Sequence, residues 1–289
     1  MAINLYNFEI NDFIKIAYWL TSSNYLLQKA VINKLDSAIS ILSYQITTKN
    51  WFRLLNLTSN IGDLAEFDSL HSIKQKMDNL VANDTNEALQ ALLDMAKLEY
   101  YNRTPWINLL KQSFKPDYSN LETLRIIKLA VETEVKSSLK SEAIEHIENL
   151  QSSVFSQTKN SDNLTKSKHN MSMLSASRLH REVDFILKLL LQYEENSILL
   201  NTYSVDFYNE SEKLVFDIHG PLHYFFPDMG DKHESITQQR LVGMFKMKNR
   251  LLIKNGFKVA NIPYFEWNRY IDQLEKTIYL KRKLRYLRL

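Results

Sequence analysis

The placement of glycine and proline constrains this chain more than any other feature. Four of its five glycines (Gly220, Gly230, Gly243, Gly256) and three of its five prolines lie beyond residue 200. Helix interiors tolerate neither residue well. The breaker-poor first half is therefore expected to be helical, and the second half to turn often. Between them, a Ser-, Asn-, Thr- and Lys-rich tract from about Ser152 to Ser175 reads as a linker. The expected organisation is a helical array over 1–155, a polar linker over 156–174 and a second module over 175–289.

In the first half, apolar residues recur at helical spacing. Four segments share the order hydrophobic, any residue, hydrophobic, small: Ile14/Ile16/Ala17, Leu55/Leu57/Thr58, Leu93/Met95/Ala96 and Ile127/Leu129/Ala130. Their offsets of 41, 38 and 34 residues fit a degenerate repeat of helix pairs, in which neighbours bury each other's apolar faces. The small residue lets paired helices approach closely. An irregular bundle with coincidental spacing is the alternative. Tyr100, Tyr101 and Trp106 cluster at a helix break, where they serve either core packing or a partner contact.

The second half changes period. Residues 177–193 form an amphipathic helix with Leu179, Val183, Ile186 and Leu190 on one face. Alternation then predicts a strand with Tyr203, Val205 and Phe207 on one side, and another with Leu214, Phe216 and Ile218. Asp217 and His219 share the opposite side of the second strand. A helix from about Glu234 is expected to end at Asn255-Gly256, a left-handed C-cap, and FKVANIPY reads as a third strand. A closing helix from about Glu266 is expected to bury Trp267, Ile271, Leu274 and Ile278. Helix–strand–strand–helix–strand–helix makes this a mixed α/β module.

Cysteine is absent, which excludes disulfides, thiolate zinc sites and cysteine catalysis. No apolar run reaches the length of a membrane span. The start, MAINLYNFEINDF, carries Glu9 and Asp12 and no arginine, so it reads as neither signal nor transit peptide, which leaves a removed presequence open. The net charge of +3 hides a gradient: from Lys246 onward there are 12 basic residues against three acidic ones. A basic end on a slightly acidic body points to an anionic partner, most simply nucleic acid.

The second module resembles the RAP domain family. The resemblance rests on VDF at Val205, LVFDIHGPLHYF from Leu214, QQRLVGMFKMKNRLLIKNGF from Gln238, VANIPYFEWNR from Val259 and IYLKRKL from Ile278. It implies a restriction-endonuclease-like fold, with a small central sheet flanked by helices, and RNA binding. RAP domains are similar to nucleases of the PD-(D/E)XK type. They typically close organellar proteins that carry helical repeats, and the first half here resembles the heptatricopeptide or octotricopeptide kind. The resemblance thus implies an organelle, a mitochondrion or alternatively a plastid.

Two chemistries follow. In nucleases of this shape, strand carboxylates bind magnesium and a lysine positions water. Asp206 and Asp217 fit that pair, Glu182 fits an assisting role, His219 stands where the lysine would be, and His223 is a further base. The same carboxylates also read as simple hydrogen-bond acceptors, with His219 and His223 shaping an RNA-facing surface. For binding, Lys246, Arg250 and Lys254 follow an i, i+4 ridge, with Lys248 on another face. Arg269, Lys281, Arg282, Lys283 and Arg285 extend the positive surface, and Tyr224 follows a Gly-Pro turn as a stacking candidate. Trp267 reads as core. The preferred reading is non-catalytic RNA binding without a cofactor, inside a larger ribonucleoprotein such as the mitochondrial ribosome, with rRNA or mRNA as the RNA partner. An RNA endonuclease and a protein-interaction adaptor are the alternatives.

Overall fold

The computed structural model describes residues 9–25, 27, 29–61, 70–113, 115–159, 177–225 and 240–288. The chain divides into two compact units: Met1–Gln157 with Phe225–Met247, and Thr158–Tyr224 with Lys248–Leu289.

The helical unit contains α1 (Ile10–Ser22), α2 (Lys29–Leu42), α3 (Thr48–Ile61), α4 (Leu70–Met77), α5 (Thr85–Lys97), α6 (Arg103–Gln112), α7 (Leu121–Glu134) and α8 (Leu139–Lys159). The odd-numbered helices form a row, α1 against α3, α3 against α5, and α5 against α7. They begin at Ile10, Thr48, Thr85 and Leu121, a step of 36 to 38 residues. All four sequence segments fall on this row. Their small residues are buried: Ala17 and Thr58 are 1% exposed, Ala96 and Ala130 fully covered. Polar pairs repeat at the same step, with Asn50 Nδ2 donating to Asn11 Oδ1 at 2.7 Å and Asn56 Nδ2 to Asp94 Oδ2 at 2.9 Å. Arg103 and Glu142 pair at 2.7 Å, again one step apart. The aromatic cluster at the helix break is core. Trp106 is wholly buried and donates from Nε1 to the Tyr100 carbonyl at 2.7 Å. The polar tract behaves differently at its start, because α8 continues through residues 152–159; the rest of the expected linker lies outside the described residues, 175–176 included.

The α/β unit runs α9 (Arg178–Leu187), β1 (Glu194–Leu199), β2 (Tyr203–Asn209) and β3 (Leu214–His219). It continues with α10 (Gly243–Lys254), inside which the division between units falls, then β4 (Lys258–Pro263), α11 (Tyr264–Trp267) and α12 (Gln273–Arg288). The sheet order is β1-β2-β3-β4, antiparallel except for the β3–β4 pair, which is parallel. Ser177 caps α9, its hydroxyl accepting from the His180 amide. The helix ends at Leu187, short of the expected Tyr193. β2 alternates as read, with Tyr203, Val205 and Phe207 buried. β3 is buried along its whole length, as a central strand covered on both faces must be. The main core gathers Val183, Ile186, Phe207, Phe216, Ile262, Trp267 and Leu280. Gly256 ends α10 with φ +85°, the left-handed cap that glycine allows. The expected start of that helix near Glu234 lies outside the described residues; Arg240–Val242 are not helical.

Two expectations are corrected. β1, an edge strand of sequence EENSIL, was not foreseen, because its mostly exposed residues show no apolar alternation. The closing helix is not continuous from Glu266. The chain breaks after Trp267, and α12 starts afresh from a reciprocal cap in which Asp272 Oδ1 accepts from the Glu275 amide and Glu275 Oε2 from the Ile271 amide. The break turns the stripe outward. Ile271, Leu274 and Ile278 are 93%, 69% and 48% exposed, while Tyr279, Leu280 and Leu284 face the core and Trp267 stays buried.

Candidate nucleic-acid interface

Alternation along β3 sends Leu214, Phe216 and Ile218 into the main core and puts Asp217 and His219 on the other face. Both are buried, His219 completely. Polar groups so placed require partners. Lys248 of α10 supplies the strongest, its Nζ donating to Asp217 Oδ2 at 2.6 Å. His219 Nε2 lies 3.4 Å from the same oxygen, and His219 Nδ1 lies 3.2 Å from Tyr224 Oη. On β2, Asp206 Oδ2 accepts from the Ile218 amide at 2.7 Å. His180 of α9 faces Asp206 at 3.6 Å and Glu195 at 3.8 Å, distances of electrostatic attraction, not hydrogen bonding.

The two aspartates are driven apart electrically. Burial pushes Asp217 up, but the hydrogen bonds and charges of His219 and Lys248 outweigh it and hold the carboxyl below its ordinary value. Burial and the neighbouring Asp217 charge raise Asp206, with the Ile218 amide and His180 opposing. His223, whose ring stands 4.9 Å from that of His219, is lowered to about 4 by burial and by His219, with Asp217 opposing.

A histidine held below its ordinary pKa takes up its proton on unfolding. Between about pH 6.5 and 4, His223 therefore makes the fold less stable as pH falls. Asp217, held low, adds to the loss at lower pH still; Asp206, held high, opposes it. The expected outcome is a lower urea midpoint at pH 5 than at pH 7, with the difference shrinking in His223→Gln. Equal pH dependence in both proteins would refute the assignment.

The structure thus brings Asp206, Asp217, His219 and His223 together at the end of β3, and leaves Glu182 elsewhere. Glu182 accepts from Trp267 Nε1 at 2.9 Å and Lys276 Nζ at 2.6 Å, and pairs with Arg178 at 2.7 Å. These bonds, Lys276 first, hold its carboxyl at about 2. Sequence reading missed His180 and the partnership of Lys248 with Asp217. The second had a signal: Lys248 is one helical turn before Leu252, which packs on Val215 of the same strand face.

The remaining cations sort into two sets. Lys276 is spent on Glu182, Lys283 on Glu266 at 3.0 Å, and Arg288 on Glu212 at 2.5 Å. Lys246 donates to the Ile61 carbonyl at 3.1 Å within the helical unit, and Arg250 is half-buried. Lys254 and Arg269 are exposed. Lys281, Arg282 and Arg285 are exposed on the outward face of α12 and make no ion pair among the described residues. Tyr224 is 6% exposed, its ring edge-on to Phe265 at 5.1 Å.

The family model of the RAP domain matches residues 216–283, from β3 into α12. The match takes in Asp217, His219, His223, Tyr224, Lys248, Lys281 and Arg282, and stops short of Asp206 on one side and Arg285 on the other. A RAP domain suggests RNA binding. No curated protein matches the chain. No described helix is long and apolar enough to cross a membrane.

Proposed function

We propose that this chain uses its RAP domain to hold RNA without cleaving it, as a fixed component of an organellar ribonucleoprotein. The observation that carries the reading is the sorting of cations in the α/β unit. Inward lysines are neutralised by Asp217, Glu182 and Glu266, whereas Lys281, Arg282 and Arg285 face water on one side of α12. Unneutralised cations on consecutive turns of one helix are placed to meet successive phosphates, and binding of that kind weakens as salt rises. The Asp217 carboxylate, which a nuclease would need for a metal ion, is buried and engaged by Lys248 at 2.6 Å. The organelle, in preference a mitochondrion, is what the RAP resemblance implies, and the small number of helix-pair repeats supports rRNA as the ligand of a fixed component.

The test is binding of the full chain to labelled single-stranded and hairpin RNA across a salt series, with magnesium present and absent. Replacing Lys281, Arg282 and Arg285 together by alanine is expected to reduce the slope of log affinity against log salt by about 2, at roughly 0.7 per phosphate contact on single strands. An unchanged slope sinks the α12 assignment. Magnesium-dependent cleavage that disappears in the double variant Lys248→Met with Asp217→Asn while its fold is retained would replace the binding reading with the nuclease one, which the convergence of Asp206, Asp217 and His219 favours. Crosslinked RNA from cells that maps mainly to cytosolic messages would overturn the organellar assignment.

A further inference from the structure

Between α9 and the start of α12, within the α/β unit, lies an open cavity of about 390 Å³. Its walls differ in chemistry. Phe185 and Ile271 give it an apolar side and are 57% and 93% exposed. Arg178, Arg181 and Lys276 give it a cationic side. Glu182, the acidic residue in the lining, is occupied by Arg178, Lys276 and Trp267, so its charge is spent in positioning those cations. Arg181 is exposed and makes no ion pair among the described residues. Gln273 adds an amide that can donate and accept.

We propose that this cavity captures one unstacked nucleotide of a single-stranded RNA, the base lying on Phe185 beside Ile271 and the phosphate meeting Arg181 and Arg178. The inference rests on the RNA-binding reading above and adds to it a second site, on α9 and outside the matched domain for most of its lining. Size favours a nucleotide over a partner helix: the volume is near the lower end of ligand pockets, which span about 300–1,000 Å³. Chemistry favours it too. The net positive lining rejects a metal ion, and a flat aromatic beside an exposed guanidinium group is the combination that proteins use for unpaired bases and their phosphates. Phe185 and Arg181 are one helical turn apart on α9, so ring and guanidinium address the same ligand.

The experiment titrates the full chain with a labelled oligouridylate and with a fully paired RNA duplex of the same length, by fluorescence anisotropy. Phe185→Ala is expected to weaken single-strand binding by about 5- to 100-fold, the usual range for losing one base–aromatic stack, and duplex binding by less than about twofold. Phe185→Tyr is expected to retain binding, and Arg181→Ala to weaken it. Phe185 is exposed, so folding is not at stake, and Arg181→Ala with Phe185→Tyr carries the test regardless. Wild-type chain that binds neither RNA defeats the RNA reading and this inference together. Wild-type binding that Phe185→Ala leaves unchanged defeats the cavity alone. Displacement of the oligouridylate by polyglutamate of equal charge would make the cavity a general anion site and overturn the nucleotide assignment.

Discussion

Lys248→Ala is expected to destabilise the α/β unit by about 3–5 kcal/mol, the usual cost of removing one partner from a buried ion pair. Lys248 and Asp217 have side chains only 12% and 5% exposed, and their contact is 2.6 Å. Without the ammonium, Asp217 keeps His219 at 3.4 Å, too long for a strong hydrogen bond, and burial then pushes its carboxyl upward. A carboxyl whose folded pKa rises above its unfolded one gains stability as pH falls. The variant is therefore more damaged at pH 8 than at pH 5. Hydrogen exchange resolves this locally: β3 and β4 amides are expected to exchange about a hundredfold faster or more in the variant at pH 8. The double variant Lys248→Met with Asp217→Asn, which removes both charges, is expected to recover most of the loss. A loss under about 1 kcal/mol in Lys248→Ala would mean that water already screens the pair. The same argument governs any test of cleavage. Asp217→Ala leaves Lys248 buried without its carboxylate, so lost activity in that variant reports folding as well as chemistry; the double variant separates them.

What the sequence revealed, and what it hid, follows from where each side chain gets its environment. The β2 and β3 alternation and the Gly256 cap were legible because each depends on residues close in the chain, and the row of odd-numbered helices because one local pattern recurs at a nearly fixed step. The edge strand β1 was not. Its backbone pairing with β2, Ser197 opposite Val205, places no demand on side-chain polarity. The α12 stripe misled for a related reason. Ile271, Leu274 and Ile278 keep helical spacing across a break that Asp272 and Glu275 impose, and DQLE, a capping-box pattern, was the local signal for it. At the polar cluster, Asp217 and His219 were identifiable from alternation on one strand. The partner of Asp217, Lys248, arrives from α10 across 31 residues of chain, and His180 reaches Asp206 of the same cluster from α9. The linear order of side chains carries no record of such convergence, which belongs to strand register and helix docking.

In the helical unit the largest effect is expected at Asp94, which is 1% exposed on α5. Its carboxylate accepts from Asn56 Nδ2 at 2.9 Å and Ser59 Oγ at 2.7 Å, both on α3, and from Lys97 Nζ at 2.9 Å on its own helix. Gln90 adds a fourth donor at 3.1 Å. Asn56 and Asp94 are 38 residues apart, one step of the helix row, so the carboxylate clamps neighbouring copies of the same structural unit. Lys97 is itself only 5% exposed. Asp94→Ala removes the carboxylate from the α3 donors and from that ammonium, which keeps Asn60 Oδ1 at 3.2 Å, and a loss of about 3–5 kcal/mol is expected. Asp94→Asn, which keeps an acceptor and drops the charge, should fall between the two. Because stacked helix pairs are stabilised through nearest-neighbour interfaces, faster exchange should appear in both α3 and α5 and leave β3 protected. If α5 alone loosens, Asp94 serves its own helix and the clamp between neighbours is not what holds the row together. If both helices loosen while Lys97→Met restores them in the Asp94→Leu background, the buried charge pair sets the register of the row and apolar packing supplies its strength.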